Sequence, residues 1–174
     1  MIGRGCALFV LLCVVGACSR SENSIRQQSV AAASASPDPG AELSRLDHRS
    51  PLPLLPMMAN HQKQNMRDHL RAVAEITSAV SVGDFPAVTR AVSRIGTSAS
   101  MTQMCEHMGS HAQGFTELAL DFHRSADAIS TAAERQDRDA VLAALGHTLG
   151  KCTGCHETYK QELVDQATWR VLSE

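Results

Sequence analysis

The residues with the clearest chemical potential form the run Cys152-Thr153-Gly154-Cys155-His156. A Cys-x-x-Cys-His run is the attachment signature of c-type haem. On a helical turn, residues at i, i+3 and i+4 lie on one face. Both thiols can therefore form thioethers to the porphyrin edge while the imidazole of His156 reaches the iron. The motif predicts one covalently bound haem c, with Cys152 and Cys155 as anchors and His156 as an iron ligand.

Three other chemistries use the same residue types. A redox dithiol also uses Cys-x-x-Cys, but normally in a thioredoxin-like βαβ setting, which this sequence does not predict. A zinc site would need a fourth ligand beyond Cys152, Cys155 and His156. A disulfide between two cysteines on one helical turn is strained and closes almost no loop. Covalent haem therefore fits the motif better than the three alternatives.

The N-terminal segment is typical of a secretory leader. Arg4 precedes an apolar run from Cys6 to Ala17 that is short for a membrane span. Its end, the sequence Val-Gly-Ala-Cys at residues 15–18, resembles the bacterial lipobox. This resemblance implies a lipoprotein-type signal peptide over residues 1–17 and lipidation at Cys18. Ser19 after the cysteine then implies sorting to the outer membrane, on the periplasmic side; an ordinary leader cut near Ala17 is the alternative.

Removal of the leader changes what the six cysteines can do. Cys6 and Cys13 would leave with it, and Cys18 would carry the lipid. Only Cys105, Cys152 and Cys155 would remain for chemistry. In an exported protein an odd number of cysteines does not predict a simple set of disulfides.

Residues 18–56 have the composition of a linker. Five of the six prolines of the chain lie in this stretch, among many serines, alanines and glutamines. Such a segment has little apolar surface to offset the entropy cost of ordering. The composition predicts a flexible, partly extended tether that holds the following domain away from the membrane.

Residues 57–174 show helical periodicity, and the expected fold class is all-α. Little of this region alternates with period two, so strands are not expected. The simplest closed core is an antiparallel four-helix bundle that binds the haem. The predicted helices run from about Met57 to Val82, Phe85 to Ile95, Ser100 to Met108, Gly114 to Glu134, and Asp137 to Leu163 or beyond.

The last predicted helix carries an apolar stripe on the same face as the motif. It consists of Leu142, Leu145, Leu149, Tyr159 and Leu163. The haem is therefore expected to dock on a face that is otherwise apolar. A large porphyrin in the core would also account for an aromatic content of only 3%.

The sequence from Cys152 to Lys160 reads Cys-x-x-Cys-His-x-x-Tyr-Lys. Near the C-terminus of a helical chain it resembles the pattern of class II c-type cytochromes, the cytochrome c-prime family; class I cytochromes carry the motif near the N-terminus. The resemblance covers about residues 57–163. It implies a four-helix bundle with haem between helices, His156 as proximal ligand, and Tyr159 and Lys160 beside the haem. A solvated helix residue is the alternative for Lys160.

The residue on the other face of the iron decides the function that the resemblance implies. Some family members leave this distal face open and bind small gases, while others place a methionine there and transfer electrons. Gln62 and Lys63 partly match the Arg-Gln that often precedes such a methionine. Helical spacing places Met66 on the same inward face as Leu70 and Val73, which makes Met66 the candidate distal ligand. Core filler is the alternative.

A methionine-rich segment offers a second constellation. Its soft sulfur ligands would suit copper(I), although an apolar face that packs over the haem edge is the simpler interpretation. Met104 and Met108 are backup distal ligands, Cys105 is expected to be a buried thiol, and His69 is expected to line the distal pocket one turn from Met66. The segment comprises Met101, Met104, Cys105, Met108, His107 and His111.

Three functions follow from these patterns. The leading one is a periplasmic, membrane-tethered monohaem electron carrier that exchanges electrons with redox partner proteins and is not an enzyme. The second is an open-site binder or sensor of NO or CO, and the third is a haem-free copper-handling module. A net charge of −2 gives no electrostatic footprint for nucleic acid or for anionic lipid, so the membrane contact is expected through the lipid anchor alone. The family resemblance adds a homodimer through the first two helices as an option.

Overall fold

The computed structural model describes residues 38–174. These residues fall into two units, one of which ends at Asp47 while the other spans His48–Glu174. In the described part of the first unit, helix α1 spans Pro39–Leu46. Asp38 caps its start, and the Asp38 carboxylate accepts a hydrogen bond from the Gly40 amide. The predicted signal peptide and the lipidation at Cys18 lie outside the described residues.

The second unit is mostly helical. In chain order it contains β1 (Ser50–Leu54), α2 (Pro56–Ser81), α3 (Phe85–Val92), α4 (Ala99–Gly109), α5 (Phe115–Glu134), α6 (Arg138–Thr158), β2 (Tyr159–Leu163) and α7 (Gln166–Leu172). No helix among residues 38–174 is both long and apolar enough to cross a membrane.

The helix starts follow the local signals in the sequence. Asp84 caps α3 by accepting a hydrogen bond from the Ala87 amide at 2.9 Å, and Asp137 caps α6 through the Ala140 amide at 3.0 Å. Each carboxylate satisfies an amide that has no partner inside its helix. Gly83, with a φ of 76°, makes the tight turn between α2 and α3 that a residue with a side chain adopts only under strain.

Four helices close around one apolar core, which confirms the predicted bundle. The connections at residues 82–84 and 135–137 are short, so α2 runs antiparallel to α3, and α5 to α6. Contacts join α2 to α3, α3 to α5, α5 to α6, and α6 back to α2. The four helices contribute large buried side chains to this core, among them Ile76 of α2, Val88 and Val92 of α3, Phe122 and Ile129 of α5, and Val141 and Leu145 of α6.

The two strands differ from the prediction that the unit has none. β1 pairs in parallel with β2, and the register matches Ser50 with Tyr159 and Leu54 with Leu163. Leu52 and Leu54 are buried in a second apolar cluster with Ala59, Met108, Ala112 and Phe115. Residues 50–54 therefore belong to the folded domain and residues 52–54 to its core, although their composition predicted a tether as far as residue 56.

Prolines in β1 are compatible with the pairing. The Val164 amide donates to the carbonyl of Leu54 at 3.0 Å, so the backbone groups of Leu54 face β2. Because backbone groups alternate along a strand, Pro51 and Pro53 fall on the opposite edge, where no donor is needed.

Helix α6 ends at Thr158, not near Leu163 as predicted. The chain becomes extended at Tyr159, where φ is −118° and ψ is 147°. Arg49 stabilises the C-terminal end of α6, because its guanidinium donates hydrogen bonds to the carbonyls of His156 and Tyr159 at 2.9 and 3.3 Å. A helix end that depends on a residue so distant in sequence has no local signal.

The predicted apolar stripe on α6 is also wrong. Leu142, Leu149 and Leu163 are 47%, 38% and 63% exposed, and only Leu145 of the predicted leucines is buried. The buried positions of the helix are Val141, Leu145 and Thr148. Their spacing of four and three residues continues directly to Cys152 and Cys155, so the motif follows the core face of α6.

Candidate functional site

A cavity of about 470 Å³ opens in the second unit. This volume lies within the range of about 300 to 1,000 Å³ that is usual for small-molecule and cofactor sites. The atoms that line it are mostly apolar, with Leu52, Met66, Met101, Met108, Phe115, Leu118, Ala119 and Phe122 among the residues. The cavity is therefore suited to a large apolar group.

The Cys-x-x-Cys-His motif enters this cavity from α6. Cys152, Cys155 and His156 all line it, as the shared helical face predicts. Cys152 packs against the bundle core and Cys155 against the second apolar cluster, so the two thiols stand where the two clusters meet. The structure thus places both predicted thioether anchors and the predicted iron ligand at one apolar opening.

The thiols lack the lowered pKa that is typical of a redox dithiol. Cys105, Cys152 and Cys155 are all free in the structure. Burial raises the pKa of the Cys152 and Cys155 thiols, and it raises the pKa of Cys105 to about 11. A reactive Cys-x-x-Cys pair normally has a lowered thiol pKa. All three thiols are therefore protonated near neutral pH.

Tyr159 and Lys160 lie in the cavity wall directly after the motif. The Tyr159 hydroxyl donates to the carbonyl of Gln113 at 2.5 Å, and its ring meets the Phe115 ring edge-on at a centroid distance of 5.4 Å. These contacts bind the end of α6 to the start of α5. Gly114 permits them, since its φ is 80° and an added Cβ would lie 3.1 Å from the Tyr159 hydroxyl.

Met66 reaches the same cavity from α2, where its side chain is half-buried. The inward face of α2 differs in part from the predicted one, because Leu70 is 69% exposed. Ala59, Gln62, Ala72, Ile76, Ala79 and Val80 form the buried face instead. Met66 lies beside this face, and it remains the candidate distal ligand.

His69, one turn after Met66, also lines the cavity. Its ring stacks on Phe122 at a centroid distance of 4.8 Å and meets His123 edge-on at 5.6 Å. Burial, with a smaller contribution from the neighbouring His123, lowers the pKa of His69 to about 4. Burial also lowers the pKa of His123, whose Nδ1 lies 2.8 Å from the carbonyl of Ile95. Both imidazoles are neutral near pH 7, which keeps this wall of the cavity uncharged.

The methionine-rich segment does not bring all of its sulfur ligands together into one copper site, as its helical spacing would allow. Met101, Cys105 and Met108 face the cavity from α4. The sulfur of Met104 accepts a hydrogen bond from the Asn65 amide at 3.0 Å and lies 3.1 Å from Nε2 of His61. Because Met104 is outside the cavity lining, Met108 is the only one of the two backup ligands that faces it among the described residues.

The two histidines of that segment pack elsewhere. His107 and His111 each meet the ring of Trp169 edge-on, at centroid distances of 6.1 and 4.4 Å. Within residues 38–174, no three His, Cys, Asp or Glu side chains form a group that could hold a metal ion. Helical spacing indicated one stripe of three methionines and Cys105, whereas the tertiary contacts direct Met104 to His61 and Asn65 and the two histidines to the buried Trp169.

Two parts of the site had no signal in the sequence. Arg49 and Leu52 line the cavity although they lie in the stretch whose composition predicted a tether. The Gln161 amide donates to Oε1 of Gln62 at 2.5 Å and to the carbonyl of Ala59 at 3.3 Å, which joins β2 to the wall on α2. These residues meet only because β1 and β2 pair, so no local pattern could have identified them.

A four-helix bundle with a Cys-x-x-Cys-His motif at the mouth of an apolar cavity defines a haem-binding c-type cytochrome. A family model described as Cytochrome C' matches residues 53–160. The chain therefore belongs to the cytochrome c-prime family, whose members bind haem c covalently, are typically periplasmic, and are in general electron carriers or gas binders. No curated protein and no solved structure matches the chain.

Proposed function

We propose that this protein is a monohaem electron carrier with His156 and Met66 as the two axial ligands. One observation carries the proposal. One mostly apolar cavity is lined by side chains from two helices that lie far apart in the sequence: Cys152, Cys155 and His156 of α6, and Met66 of α2.

The residues around the cavity support this role chemically. Haem, when bound, supplies a one-electron iron couple, and a His/Met ligand pair raises its reduction potential. Phe115, Leu118 and Phe122 line the cavity with apolar surface that keeps water from the site. The hydrogen bond from Tyr159 to Gln113 holds the end of α6, and with it the backbone that carries His156 three residues earlier.

A second candidate function rests on the wall formed by His69. The neutral imidazole stacked on Phe122 gives the cavity a small uncharged wall with a hydrogen-bonding group one turn from Met66. If the methionine sulfur does not bind the iron, such a wall suits a diatomic gas, NO or CO. The protein would then be an open-site gas binder or sensor.

The proposed setting is the periplasm. We expect the leader at residues 1–17 to direct export and Cys18 to carry lipid that anchors the protein to the outer membrane. The expected partners are periplasmic redox proteins.

The ligand assignment is tested by replacing Met66 with alanine. In the holo-protein, Met66→Ala is expected to convert a low-spin six-coordinate absorption spectrum to a high-spin one, to allow CO to shift the Soret band, and to lower the reduction potential. Met101→Ala is the matched control, because Met101 is also a half-buried methionine of the cavity wall. It should leave the spectrum low-spin.

The possible outcomes separate the functions. A Met66→Ala spectrum equal to that of the unsubstituted protein refutes ligation by Met66. A Soret band that CO already shifts in the unsubstituted protein favours the gas binder. A purified protein without haem bands excludes both functions and favours the third one, copper handling by the methionine-rich segment.

A further inference from the structure

The charged residues that line the haem cavity are all basic. Residues 48–174 contain twelve lysines and arginines and fourteen aspartates and glutamates. None of these fourteen acidic residues lines the cavity. Five of the twelve basic residues do, and we call them the cationic rim: Arg49, Lys63, Arg67, Lys151 and Lys160. In a chain with a net charge of −2, the rim is a local reversal of charge.

Lys63 and Arg67 are the exposed part of the rim on α2. They stand four residues apart on one helix, where like charges destabilise the helix. Neither forms an ion pair with any residue between 38 and 174. The next charged pair on the same helix, Asp68 and Arg71, does form one at 2.7 Å. The arrangement therefore leaves two cations unneutralised at the cavity mouth.

The fold itself accounts for part of the rim. Arg49 donates to the carbonyls at the end of α6, and the Lys151 ammonium lies 3.3 Å from the Asp121 carboxylate. The internal contacts of residues 38–174 do not use the charges of Lys63 and Arg67.

We propose that the cationic rim, centred on Lys63 and Arg67, is the docking surface for an acidic redox partner protein. This inference rests on the proposed electron-transfer function. Clustered charge of one sign at a cleft accelerates the association of an oppositely charged partner. An acidic patch placed on the rim would bring the partner's redox centre to the opening through which the cofactor is reached.

A protein fits this surface better than an anionic lipid bilayer does. The rim surrounds a concave opening and draws its residues from α2, α6, β2 and the segment before β1. A convex acidic patch of a protein can follow such a mouth, whereas a flat bilayer contacts only its highest points.

The test compares two double variants of the full-length holo-protein at equal haem concentration. Lys63→Gln with Arg67→Gln removes two rim charges. Arg90→Gln with Arg135→Gln is the matched control, because both residues are exposed, lie outside the cavity lining and form no ion pair with residues 38–174. Calorimetry measures binding to a plant-type [2Fe–2S] ferredoxin, a small acidic redox protein, across a series of ionic strengths. Sedimentation measures binding to vesicles of phosphatidylcholine mixed with phosphatidylglycerol.

We expect the unsubstituted protein to bind the ferredoxin at low salt and to lose affinity as salt is added. The rim variant should bind about fivefold or more weakly, with a shallower salt dependence, and the control should bind within about twofold of the unsubstituted protein. Equal losses in the two variants, or no binding by the unsubstituted protein, overturn the proposal. Rim-dependent binding to the vesicles without rim-dependent binding to the ferredoxin assigns the surface to lipid and also overturns it.

Electron transfer is measured separately, by mixing the reduced ferredoxin with the oxidised protein and following the haem absorbance. Rim-dependent binding without haem reduction would contradict the proposed function and leave the docking surface standing. Haem reduction at equal rates in both variants would contradict the docking surface and leave the proposed function standing.

Discussion

The burial of Leu54 predicts that the segment before α2 stabilises the domain. Leu54 is 0% exposed in the second apolar cluster, although composition placed it in a tether. Its register partner Leu163, on β2, is 63% exposed. Leu54→Ala and Leu163→Ala therefore remove the same atoms from paired positions of one small sheet, and only the first substitution leaves a cavity.

The expected magnitude follows from this difference in burial. Truncation of a buried leucine to alanine costs about 2 to 5 kcal/mol, because the transfer free energy of the removed atoms and a cavity term add. Truncation at an exposed position costs about 0.5 kcal/mol or less. With a urea dependence of about 1 to 3 kcal/mol per M, a loss of about 3 kcal/mol lowers the unfolding midpoint by about 1 to 3 M.

Urea unfolding of the holo-protein, followed by circular dichroism, measures both midpoints. Leu54 does not line the cavity, so the haem spectrum of folded Leu54→Ala should match that of the unsubstituted protein. Equal midpoints for Leu54→Ala and Leu163→Ala would refute the reasoning. The tether would then extend to α2, as composition predicted.

Two further predictions concern His69 in the cavity wall and two glycines in helices. Burial lowers the pKa of His69 from 6.5 to about 4, so between these values the unfolded chain binds more protons than the folded one. The free energy of unfolding should be highest above pH 6.5 and should fall by up to about 3 kcal/mol as the pH drops toward 4. His69→Phe should make this free energy less dependent on pH. Equal urea midpoints of the unsubstituted protein at pH 6.5 and pH 4 would contradict the prediction. A Cβ on Gly109 would lie 2.3 Å from Oγ1 of Thr116 and 2.9 Å from Cδ1 of Phe115, whereas one on Gly150 meets no atom within 4 Å. Gly109→Ala should therefore destabilise the protein by about 1 to 3 kcal/mol, and Gly150→Ala should stabilise it by about 0.5 to 1 kcal/mol. Thermal unfolding measures both effects, and equal midpoints for the two variants would contradict the prediction.

Much of the bundle was predictable because its signals are local. Asp84 and Asp137 mark helix starts, since a carboxylate at that position can bind only the amides two or three residues ahead. The burial of Phe122 and Ile129 followed from the helical period of α5. The exposure of Leu70 on α2 could not be predicted in the same way. Helical periodicity identifies a wide apolar stripe, but it does not show which residues of the stripe the neighbouring helices cover.

At the candidate site, the order of residues in the motif is enough to predict the chemistry that α6 presents. Helical geometry places Cys152, Cys155 and His156 on one face whatever the rest of the chain does. Tertiary structure decided what surrounds that face, because the pairing of Ser50 with Tyr159 joins segments 109 positions apart and brings Arg49 to the end of α6. Such a pairing depends on backbone hydrogen bonds and shared burial between distant segments, and it leaves no periodic trace in either of them.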